Sequence, residues 1–507
     1  MNSLKSNIRA NFIGRVWTAL MYFAFVPVYI RFIGVEGYGL IGFFVVLVGV
    51  TSALDLGLSA ALNRELARRV ALGAEHDSRS LVRTFEAVYW GVGIILGSAI
   101  ALLAGPISRN WLRSVSLDTQ TVQRAVLLMG LVLAIQWPLI LYQGGLRGLE
   151  RQVSLNVVTM IFATVRAGGA ALVLWLVTPS IEAFFAWHLG AAALHTISLS
   201  TLLWHHLPGE GPARFDSSQL VSVRGFAAGL AAISMLALVF TQLDKVILSR
   251  MIDLDEFGYY SLATVVAGGL AYVVLPIFEA VFPRFSALVA DGGEPAALVR
   301  LYHRASQLVT ILLLPVALGA AFFSSELIWV WTGSLEAAAA AGPLLMLLVI
   351  GTALNGLVNV PYALMLANGW TRLPLLLNLG AVVLLLPLLL ILVSRYGAIG
   401  AAFIWSTVNV GYLLVGVTAL HRKYLTGELS RWALSDVLGP GAVAAMVVVL
   451  AKLGSPAIEN RLLAGGWLLG AVATSMLAAA LATGMGRQLL RSAGQRPGPG
   501  NLFKVSS

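Results

Sequence analysis

Residues 31–44 read RFIGVEGYGLIGFF, and residues 250–263 read RMIDLDEFGYYSLA. The two stretches align without a gap, so that Tyr38-Gly39 of the first corresponds to Phe257-Gly258 of the second. Both stretches lie between long apolar blocks of the chain. The alignment predicts that the chain is built from two related halves, and that each half passes through the same local structure at this point.

Further matches follow in the same order along the chain, with Gly148, Arg151 and Asn156 recurring as Gly369, Arg372 and Asn378. Six apolar blocks separate the copies, and an even number gives both halves the same orientation in a membrane. Parallel repeats about an axis along the membrane normal are typical of transporters, whose substrate path runs between the halves.

Composition predicts an all-α polytopic membrane protein. Of 507 residues, 59% are hydrophobic and only 11% charged, and the mean hydropathy is +0.87. Apolar blocks of about 20 residues are long enough to cross a bilayer as helices, which satisfy their own backbone hydrogen bonds. The alternating pattern of a barrel is absent. We expect about fourteen spans, at residues 11–33, 38–62, 84–104, 124–146, 155–178, 182–204, 225–250, 257–282, 305–326, 341–367, 372–394, 397–420, 435–453 and 462–485.

The distribution of basic residues predicts the orientation. With the amino terminus inside, inside segments hold 22 Lys and Arg residues and outside segments hold 8. Cytoplasmic loops carry such an excess, so we expect both termini in the cytoplasm. The first apolar run is full length and lacks a small-residue cleavage site, which favours a retained span over a signal peptide.

The predicted organisation has five parts. We expect an N-terminal six-helix lobe at 1–205, a cytoplasmic linker at 206–224, a C-terminal six-helix lobe at 225–421, two further transmembrane helices within 435–485, and a disordered cytoplasmic tail at 486–507. The tail is rich in Pro, Gly and Ser.

Several function classes are excluded by what the sequence lacks. It has no cysteine, no nucleotide-binding Walker loop and no HExxH or GxSxG motif, so we expect neither an enzyme nor direct coupling to ATP. His188 and His195 share a helix face, but no third ligand is visible, and we expect no metal and no cofactor. The net charge is +10, but the basic residues lie in short loops and not on one patch. Their positions therefore favour a role in membrane topology over nucleic acid binding.

Polar residues in the first two spans of each half are spaced as helical stripes. Placing an ionisable residue at membrane depth costs about 3 kcal/mol on insertion scales, so such residues usually serve a function. The stripes are Asn11, Arg15, Thr18, Tyr22 and Tyr29 in span 1; Thr51, Asp55, Ser59 and Asn63 in span 2; Ser234, Thr241, Lys245 and Ser249 in span 7; and Thr264, Gly268, Tyr272 and Glu279 in span 8.

Structural interpretations of these charges stay open. Arg15 lies one turn into its span and can extend to the cytoplasmic rim, and Asp55 can bond helix-end amides or pair with Arg15. Asp244 and Lys245 are adjacent in sequence, and adjacent residues do not face each other on a helix, so we expect them to bind other partners or water. Arg166 and Glu86 are also candidates for purely structural pairs.

The chain resembles the bacterial polysaccharide flippases, the O-antigen and exopolysaccharide exporters of the multidrug/oligosaccharidyl-lipid/polysaccharide superfamily. The resemblance is carried by VPVYIRFIGVEGYGLIGFF, SALDLGLSAALNRELA, QLDKVILSRMIDLDEFGYYSLA and VFPRFSALVADG, and it runs over about residues 8–425. No single motif is highly specific, but their order, their spacing and the number of spans are specific together.

The resemblance implies two six-helix lobes around a cavity that opens alternately to each side of the bacterial inner membrane. It implies a substrate of oligosaccharide repeat units linked through pyrophosphate to undecaprenyl, with membrane lipids and other polysaccharide-assembly proteins as partners. It also implies a cationic cavity, whose charges fall on Arg15, Arg64, Asp244 and Lys245 here.

From these residues we expect Arg15, Arg64 and Lys245 to bind the pyrophosphate, because cations offset the desolvation of an anionic head. We expect Tyr22, Tyr29 and Tyr272 to stack on sugars. Asp55, Asp244 and Glu279 are candidates for proton coupling, because burial raises the pKa of a carboxyl group.

Three alternatives remain: a drug/cation antiporter of the same superfamily, a lipid II flippase, and a membrane polysaccharide polymerase or ligase. The two additional spans and the cations at Arg15 and Lys245 disfavour the antiporter. The lack of a large outside loop disfavours the polymerase.

Overall fold

The computed structural model of the chain describes residues 2–72, 78–208, 213–221, 235, 238, 242–291, 294–456, 459–484 and 486–488. These residues form helices and loops, together with an isolated parallel bridge between Arg113 and Asp253. The predicted all-α fold class is confirmed. The helices are α1 (Asn2–Ser52), α2 (Leu58–Ala71), α3 (Ser78–Leu102), α4 (Thr119–Gln136), α5 (Leu139–Gly148), α6 (Gln152–Leu176), α7 (Ile181–His206), α8 (242–251), α9 (Leu254–Gly268), α10 (Ala271–Ala290), α11 (Pro295–Phe322), α12 (Ser324–Thr332), α13 (Leu335–Ala367), α14 (Arg372–Gly411), α15 (Thr418–Tyr424), α16 (Gly439–Leu453) and α17 (Arg461–Ala482).

Short helical pieces lie between these elements. There are single helical turns at Ala53–Asp55, Ala104–Pro106 and Leu429–Arg431, and π-helical turns at Ile107–Trp111, Tyr412–Val417 and Trp432–Leu438. A π-helical turn inserts an extra residue and so re-aims the side chains that follow it.

Two long helices are each interrupted at a glycine with positive φ. Gly34 in α1 has φ 71°, and Gly397 in α14 has φ 57°. Side chains other than glycine rarely adopt this region, so the glycine allows the chain to change direction there. Gly34 follows the predicted end of span 1 and Gly397 opens predicted span 12, so each long helix covers one predicted span and the first part of the next.

The predicted second span, 38–62, is not one helix. Helix α1 ends at Ser52, and both Leu56 (φ 50°) and Gly57 (φ 74°) are left-handed before α2 begins at Leu58. The expectation that Thr51, Asp55, Ser59 and Asn63 form one continuous helical stripe is therefore wrong, because a spacing of four marks a shared face only in an unbroken helix.

The exposed surface is that of a membrane protein. In the part of the chain that the structure describes, ten segments are long and apolar enough to cross a bilayer. Large apolar side chains such as Leu384 and Leu462 are 73% and 86% exposed. Such exposure is unfavourable in water and favourable in hydrocarbon. The chain is a multi-pass membrane protein, and the count of fourteen spans and the cytoplasmic termini stay predictions.

The chain divides into two compact units, Met1–Gly258 and Tyr259–Ser507. In the first, α1 packs mainly on α6, and a core cluster that includes Leu62, Phe85 and Tyr142 joins α2, α3, α5 and α7. In the second, α13 packs against α10, α11 and α14, while α16 and α17 pack on α11. Helix α8 groups with the first unit, whereas the sequence placed the start of the second lobe at residue 225.

Candidate functional site

Three amide side chains tie the amino-terminal part of α1 to α6 in the first unit. Asn11 Nδ2 donates to Gln152 Oε1 at 2.6 Å, and Asn156 Nδ2 donates to Asn11 Oδ1 at 2.6 Å. Gly14 permits this approach, because a β-carbon at position 14 would collide with the Asn156 side-chain oxygen. These contacts set the position of Arg15, which follows directly.

Arg15 and Arg147 bring two positive charges together. The Arg15 side chain is exposed on α1, and its charge lies close enough to that of Arg147, at the end of α5, for the two to repel each other. Arg147 is also exposed, and its Nη2 donates to Gln143 Oε1 at 3.4 Å. Each guanidinium has five N–H donors, and guanidinium groups bind phosphate oxygens through paired hydrogen bonds. This pair can therefore bind an anion with several oxygens.

Arg64, which the sequence also predicts as a substrate-binding cation, is exposed on α2 beside a network of ion pairs. Glu65 binds Arg68 at 2.7 Å and Arg69 at 2.9 Å, and Arg69 donates to Gln219 Oε1 at 2.7 Å. Hydrogen bonds from Arg68 and Arg69 hold the pKa of the Glu65 carboxyl below its usual value. Partial burial acts in the opposite direction, but the bond from Arg68 outweighs it. Glu65 therefore stays ionised at neutral pH and offsets part of the positive charge near Arg64.

The predicted tyrosines lie in different surroundings. Tyr22 is 42% exposed, and its hydroxyl is hydrogen-bonded to that of Tyr38. Tyr29 is 6% exposed, its hydroxyl donates to the Ala167 carbonyl at 3.0 Å, and its ring packs edge-on against Phe184. Tyr272, in the second unit, is 57% exposed. Tyr22 and Tyr272 can therefore reach a ligand as they stand, while Tyr29 would first have to leave its packed position.

Asp55 lies at the break between α1 and α2, and its carboxylate accepts hydrogen bonds from three groups. It accepts from the Ser59 hydroxyl at 2.8 Å, from the Ser59 backbone N–H at 3.3 Å, and from the Tyr89 hydroxyl. The bond to the backbone satisfies an N–H of the first turn of α2, which has no partner within the helix. Asp55 thereby stabilises the helix break and joins it to α3.

Asp244 and Lys245 form an ion pair with each other, with Lys245 Nζ 3.1 Å from Asp244 Oδ1. The sequence did not predict this pair, which forms because the flexible four-carbon stem of lysine can bend back across the turn that separates neighbouring positions. Both side chains are about one-quarter exposed. Ser234 and Thr241 of the predicted stripe lie outside the described residues. Glu279 is exposed on α10 of the second unit.

Two charges that the sequence treated as structural are bonded to neighbouring helices. Arg166 Nη2 lies 3.3 Å from His195 Nδ1, which joins α6 to α7. The Glu86 carboxylate accepts from the Tyr142 hydroxyl at 2.6 Å and from Arg83 at 3.0 Å. Each charge is thus used to join helices of the first unit.

Sequence reasoning missed two features. It counted Arg147 only as a loop cation, because its proximity to Arg15 depends on how α1 and α5 pack. It also missed a cavity in the second unit that is lined by Asn355, Asn359 and Asn378. The spacing of four between Asn355 and Asn359 in an apolar helix was the available signal. Among the described residues, no group of three or more His, Asp or Glu side chains is placed to hold a metal ion.

Residues 4–289 match the family described as polysaccharide biosynthesis protein, which is more than half of the chain. The chain belongs to that family. The "Putative O-antigen transporter" of Shigella flexneri is 23% identical over 376 residues, which cover 74% of this chain and 88% of the relative. The resemblance to the polysaccharide flippases is thereby confirmed for this member of the polysaccharide biosynthesis protein family.

Solved structures share the fold. The lipid II flippase MurJ in an inward closed conformation superposes with a TM-score of 0.70 at 14% identity, covering 97% of this chain and 99% of that one. An inward-facing multidrug resistance transporter of the MATE family superposes with a TM-score of 0.64 at 14% identity, covering 80% and 96%. The chain therefore has the fold of the superfamily that its sequence resembles.

Proposed function

We propose that the chain is a flippase that moves undecaprenyl-pyrophosphate-linked oligosaccharide repeat units from the cytoplasmic to the periplasmic leaflet of the bacterial inner membrane. Transport proceeds by alternating access and supplies surface polysaccharide synthesis. The observation that carries this proposal is the family match over residues 4–289 on a polytopic helical fold. The name of the Shigella relative, an O-antigen transporter, supports the same substrate class.

The arginine pair of the first unit supports an anionic head group. Arg15 and Arg147 repel each other, so an anion between them removes an unfavourable interaction in addition to forming its own ion pairs. A pyrophosphate has enough oxygens for both guanidinium groups, which favour forked hydrogen bonds. The isoprenoid tail needs no polar site, because it stays in hydrocarbon throughout.

Lys245 contributes to substrate binding by exchanging its partner Asp244 for a phosphate oxygen of the substrate. In the structure it pairs with Asp244 at 3.1 Å, and a phosphate oxygen competes for the same ammonium group. Asp244 is a proposed acceptor of an incoming proton as the substrate leaves. Asp55 and Glu279 are the other proposed proton acceptors. The membrane potential alone favours outward movement of an anionic head by about 2.3 kcal/mol per charge per 100 mV.

The lipid II flippase and the drug/cation antiporter remain the alternatives. Structural likeness at 14% identity supports the fold and does not distinguish among the substrates of these transporters. Both lipid-linked substrates contain pyrophosphate, so the arginine pair is compatible with either, whereas it disfavours a cationic drug.

Deletion of the gene in its bacterial host tests the proposal. We expect loss of surface polysaccharide and accumulation of lipid-linked repeat units on the cytoplasmic side, both restored by the wild-type gene. Unchanged polysaccharide, with altered dye export or halted cell-wall synthesis, would overturn the assignment.

Complementation with variants tests the site. We expect Arg15→Ala and Arg147→Ala each to reduce export at least tenfold with normal protein levels. Arg109→Ala is the matched control, because Arg109 is an exposed arginine of the same unit that belongs to neither predicted nor observed site. Full export by both site variants would contradict the role of the arginine pair.

A further inference from the structure

The second unit contains a cavity of about 230 Å³ between α13, α14 and the π-helical turn at Tyr412–Val417. None of its ten lining residues, all of them described, carries a formal charge. Its polar lining consists of amides and phenols, from Asn355, Asn359, Asn378, Tyr362 and Tyr412, and its apolar lining includes Met365 and Leu377.

Hydrogen bonds orient the polar lining and leave part of its capacity unused. Asn355 Nδ2 donates to Asn409 Oδ1 at 2.8 Å, and Asn359 Nδ2 donates to the Asn355 carbonyl at 2.9 Å. The Tyr412 hydroxyl donates to Asn378 Oδ1 at 2.7 Å. An amide side chain has two N–H donors and an oxygen acceptor. Within the described residues, the Asn359 Oδ1 and both N–H donors of Asn378 have no protein partner.

Local backbone features shape the cavity. Asn355 and Asn359 are four residues apart on α13, so they lie on one face, and Tyr362 continues that face. The π-helical turn contributes Tyr412 and Gly416 to the lining, and π-helical turns are frequent at functional sites. Gly416 keeps the volume open, because a β-carbon there would lie 3.2 Å from Leu377 Cδ1.

We propose that this cavity binds one uncharged sugar ring of the transported oligosaccharide, which rests on the proposed flippase function. Sugar hydroxyls both donate and accept hydrogen bonds, and the side-chain amides of the cavity offer both donors and acceptors. The Tyr362 and Tyr412 rings and the Leu377 side chain provide apolar surface for the C–H face of a ring. A charge-free lining gives no favourable ionic interaction to pyrophosphate.

The volume limits the ligand to a small group. Pockets for drug-sized ligands measure roughly 300–1,000 Å³, and this cavity is smaller. It therefore accommodates part of a repeat unit, such as a single hexose or N-acetylhexosamine, and selects among repeat units by the hydroxyl pattern of that one ring.

Binding measurements with two probes test the inference. Purified full-length protein in nanodiscs is titrated calorimetrically with undecaprenyl pyrophosphate, which has no sugar, and with the lipid-linked repeat unit extracted from the deletion strain. We expect the wild type to bind the sugar-bearing probe more tightly. Asn359→Leu and Asn378→Leu should each weaken binding of that probe about tenfold, since each removes one or two hydrogen bonds. Affinity for undecaprenyl pyrophosphate should stay unchanged.

Two further variants make the result specific. Asn368→Leu is the matched control, because Asn368 is an amide that follows α13, bonds the Leu364 carbonyl and does not line the cavity, and we expect both affinities unchanged. Gly416→Leu fills the cavity without removing a polar group, and should produce the same selective loss as the asparagine variants even if one of those variants folds poorly.

The outcomes separate this inference from the proposed function. Equal binding of both probes by the wild type, or undiminished sugar-dependent binding by thermally stable cavity variants, would overturn the sugar site and leave the flippase assignment intact. Failure of the wild type to bind either probe would overturn the proposed function itself.

Discussion

The two copies of the repeated segment, residues 31–39 and 250–258, share their packing and differ in their polar contacts. Tyr38 and Phe257, which occupy the same place in the two copies, are each 1% exposed. The glycine that follows each aromatic residue packs against the other copy. Gly39 lies against the Leu254 carbonyl, and Gly258 lies against the carbonyl of Val35, the residue that corresponds to Leu254. The contact is thus reciprocal.

The polar contacts of the two copies are not equivalent. In the first copy, the Glu36 carboxylate accepts five groups at 2.7–3.0 Å, namely the hydroxyls of Ser114 and Ser116 and the backbone N–H groups of Val115, Ser116 and Leu117. The carboxylate of Asp255, its counterpart in the second copy, makes no hydrogen bond to any residue that the structure describes.

The second copy holds the same segment, residues 111–117, by other means. The Leu254 backbone N–H donates to the Arg113 carbonyl at 2.7 Å, and the Trp111 indole N–H donates to the Ser249 hydroxyl at 3.0 Å. Residues 111–117 are therefore bound by both copies, through one carboxylate on one side and through main chain and indole on the other. The glycine contacts are the same in both copies because the copies pack against each other. The polar contacts differ because residues 111–117 present different groups to each copy.

Replacement of Glu36 tests this asymmetry most strongly. Glu36→Ala leaves the Val115 and Ser116 backbone N–H groups and the Ser116 hydroxyl without an acceptor, and an unsatisfied buried donor costs about 1–3 kcal/mol. The Leu117 N–H and the Ser114 hydroxyl each keep a second acceptor, in the Ser114 hydroxyl and the Leu117 carbonyl respectively. Because water replaces some of these bonds, we expect a total loss of about 3 kcal/mol in the free energy of unfolding of the first unit. Thermal melting of the purified variant in one detergent measures the effect.

Asp255→Ala is the control at the repeat-related position. We expect a change within about 0.5 kcal/mol, as for substitutions that remove no specific contact. Equal destabilisation by the two variants would contradict the assignment of the polar contacts to the first copy alone.

Replacement of the two glycines tests the shared part of the comparison. Gly39→Ala and Gly258→Ala each place a β-carbon against a backbone carbonyl, at 2.5 Å in the second case, which neither helix can relieve by a rotamer change. We expect each to destabilise the first unit by about 2 kcal/mol, the usual range for overpacking. The double variant should cost less than the sum, because one separation of the copies relieves both collisions.

Gly91→Ala controls for the change of residue type. Gly91 lies within α3 with no atom within 4 Å of its β-carbon position, so alanine there should be neutral or slightly stabilising. If Gly39→Ala and Gly258→Ala behave like Gly91→Ala, or if only one of them destabilises, the contact between the copies is not reciprocal.

The fold class and the positions of the two repeated segments were readable from the sequence because their signals are strong and local. Apolar blocks of about 20 residues predict spanning helices from their length alone. The aromatic-glycine pairs at Tyr38-Gly39 and Phe257-Gly258 marked the two places where the copies meet. In both cases the residues that carry the structure also carry an unusual composition.

The details of the candidate site were less readable, because they depend on backbone breaks and on side-chain length. A spacing of four joined Asp55 to Ser59 as one helix face, and only Gly57 pointed to the break between α1 and α2. Helix geometry separates Asp244 from Lys245, yet the length of lysine closes that pair. The proximity of Arg147 to Arg15 arises from packing between helices distant in sequence, which a single sequence does not encode locally.

Loss of the Trp111 indole contact should give the smallest effect, and it tests how the second copy holds residues 111–117. Trp111→Phe removes the N–H that donates to Ser249 and also weakens the stacking of Arg250, whose guanidinium lies 5.1 Å from the ring centroid. A double-mutant cycle with Ser249→Ala isolates the hydrogen bond from the loss of packing. We expect a coupling of about 1 kcal/mol, the net value of a single neutral hydrogen bond. A cycle of Trp111→Phe with Glu36→Gln should show no coupling, because the two residues hold opposite ends of residues 111–117. Coupling in the second cycle as large as in the first would mean that residues 111–117 respond as one rigid piece. The two copies would then not hold this segment independently.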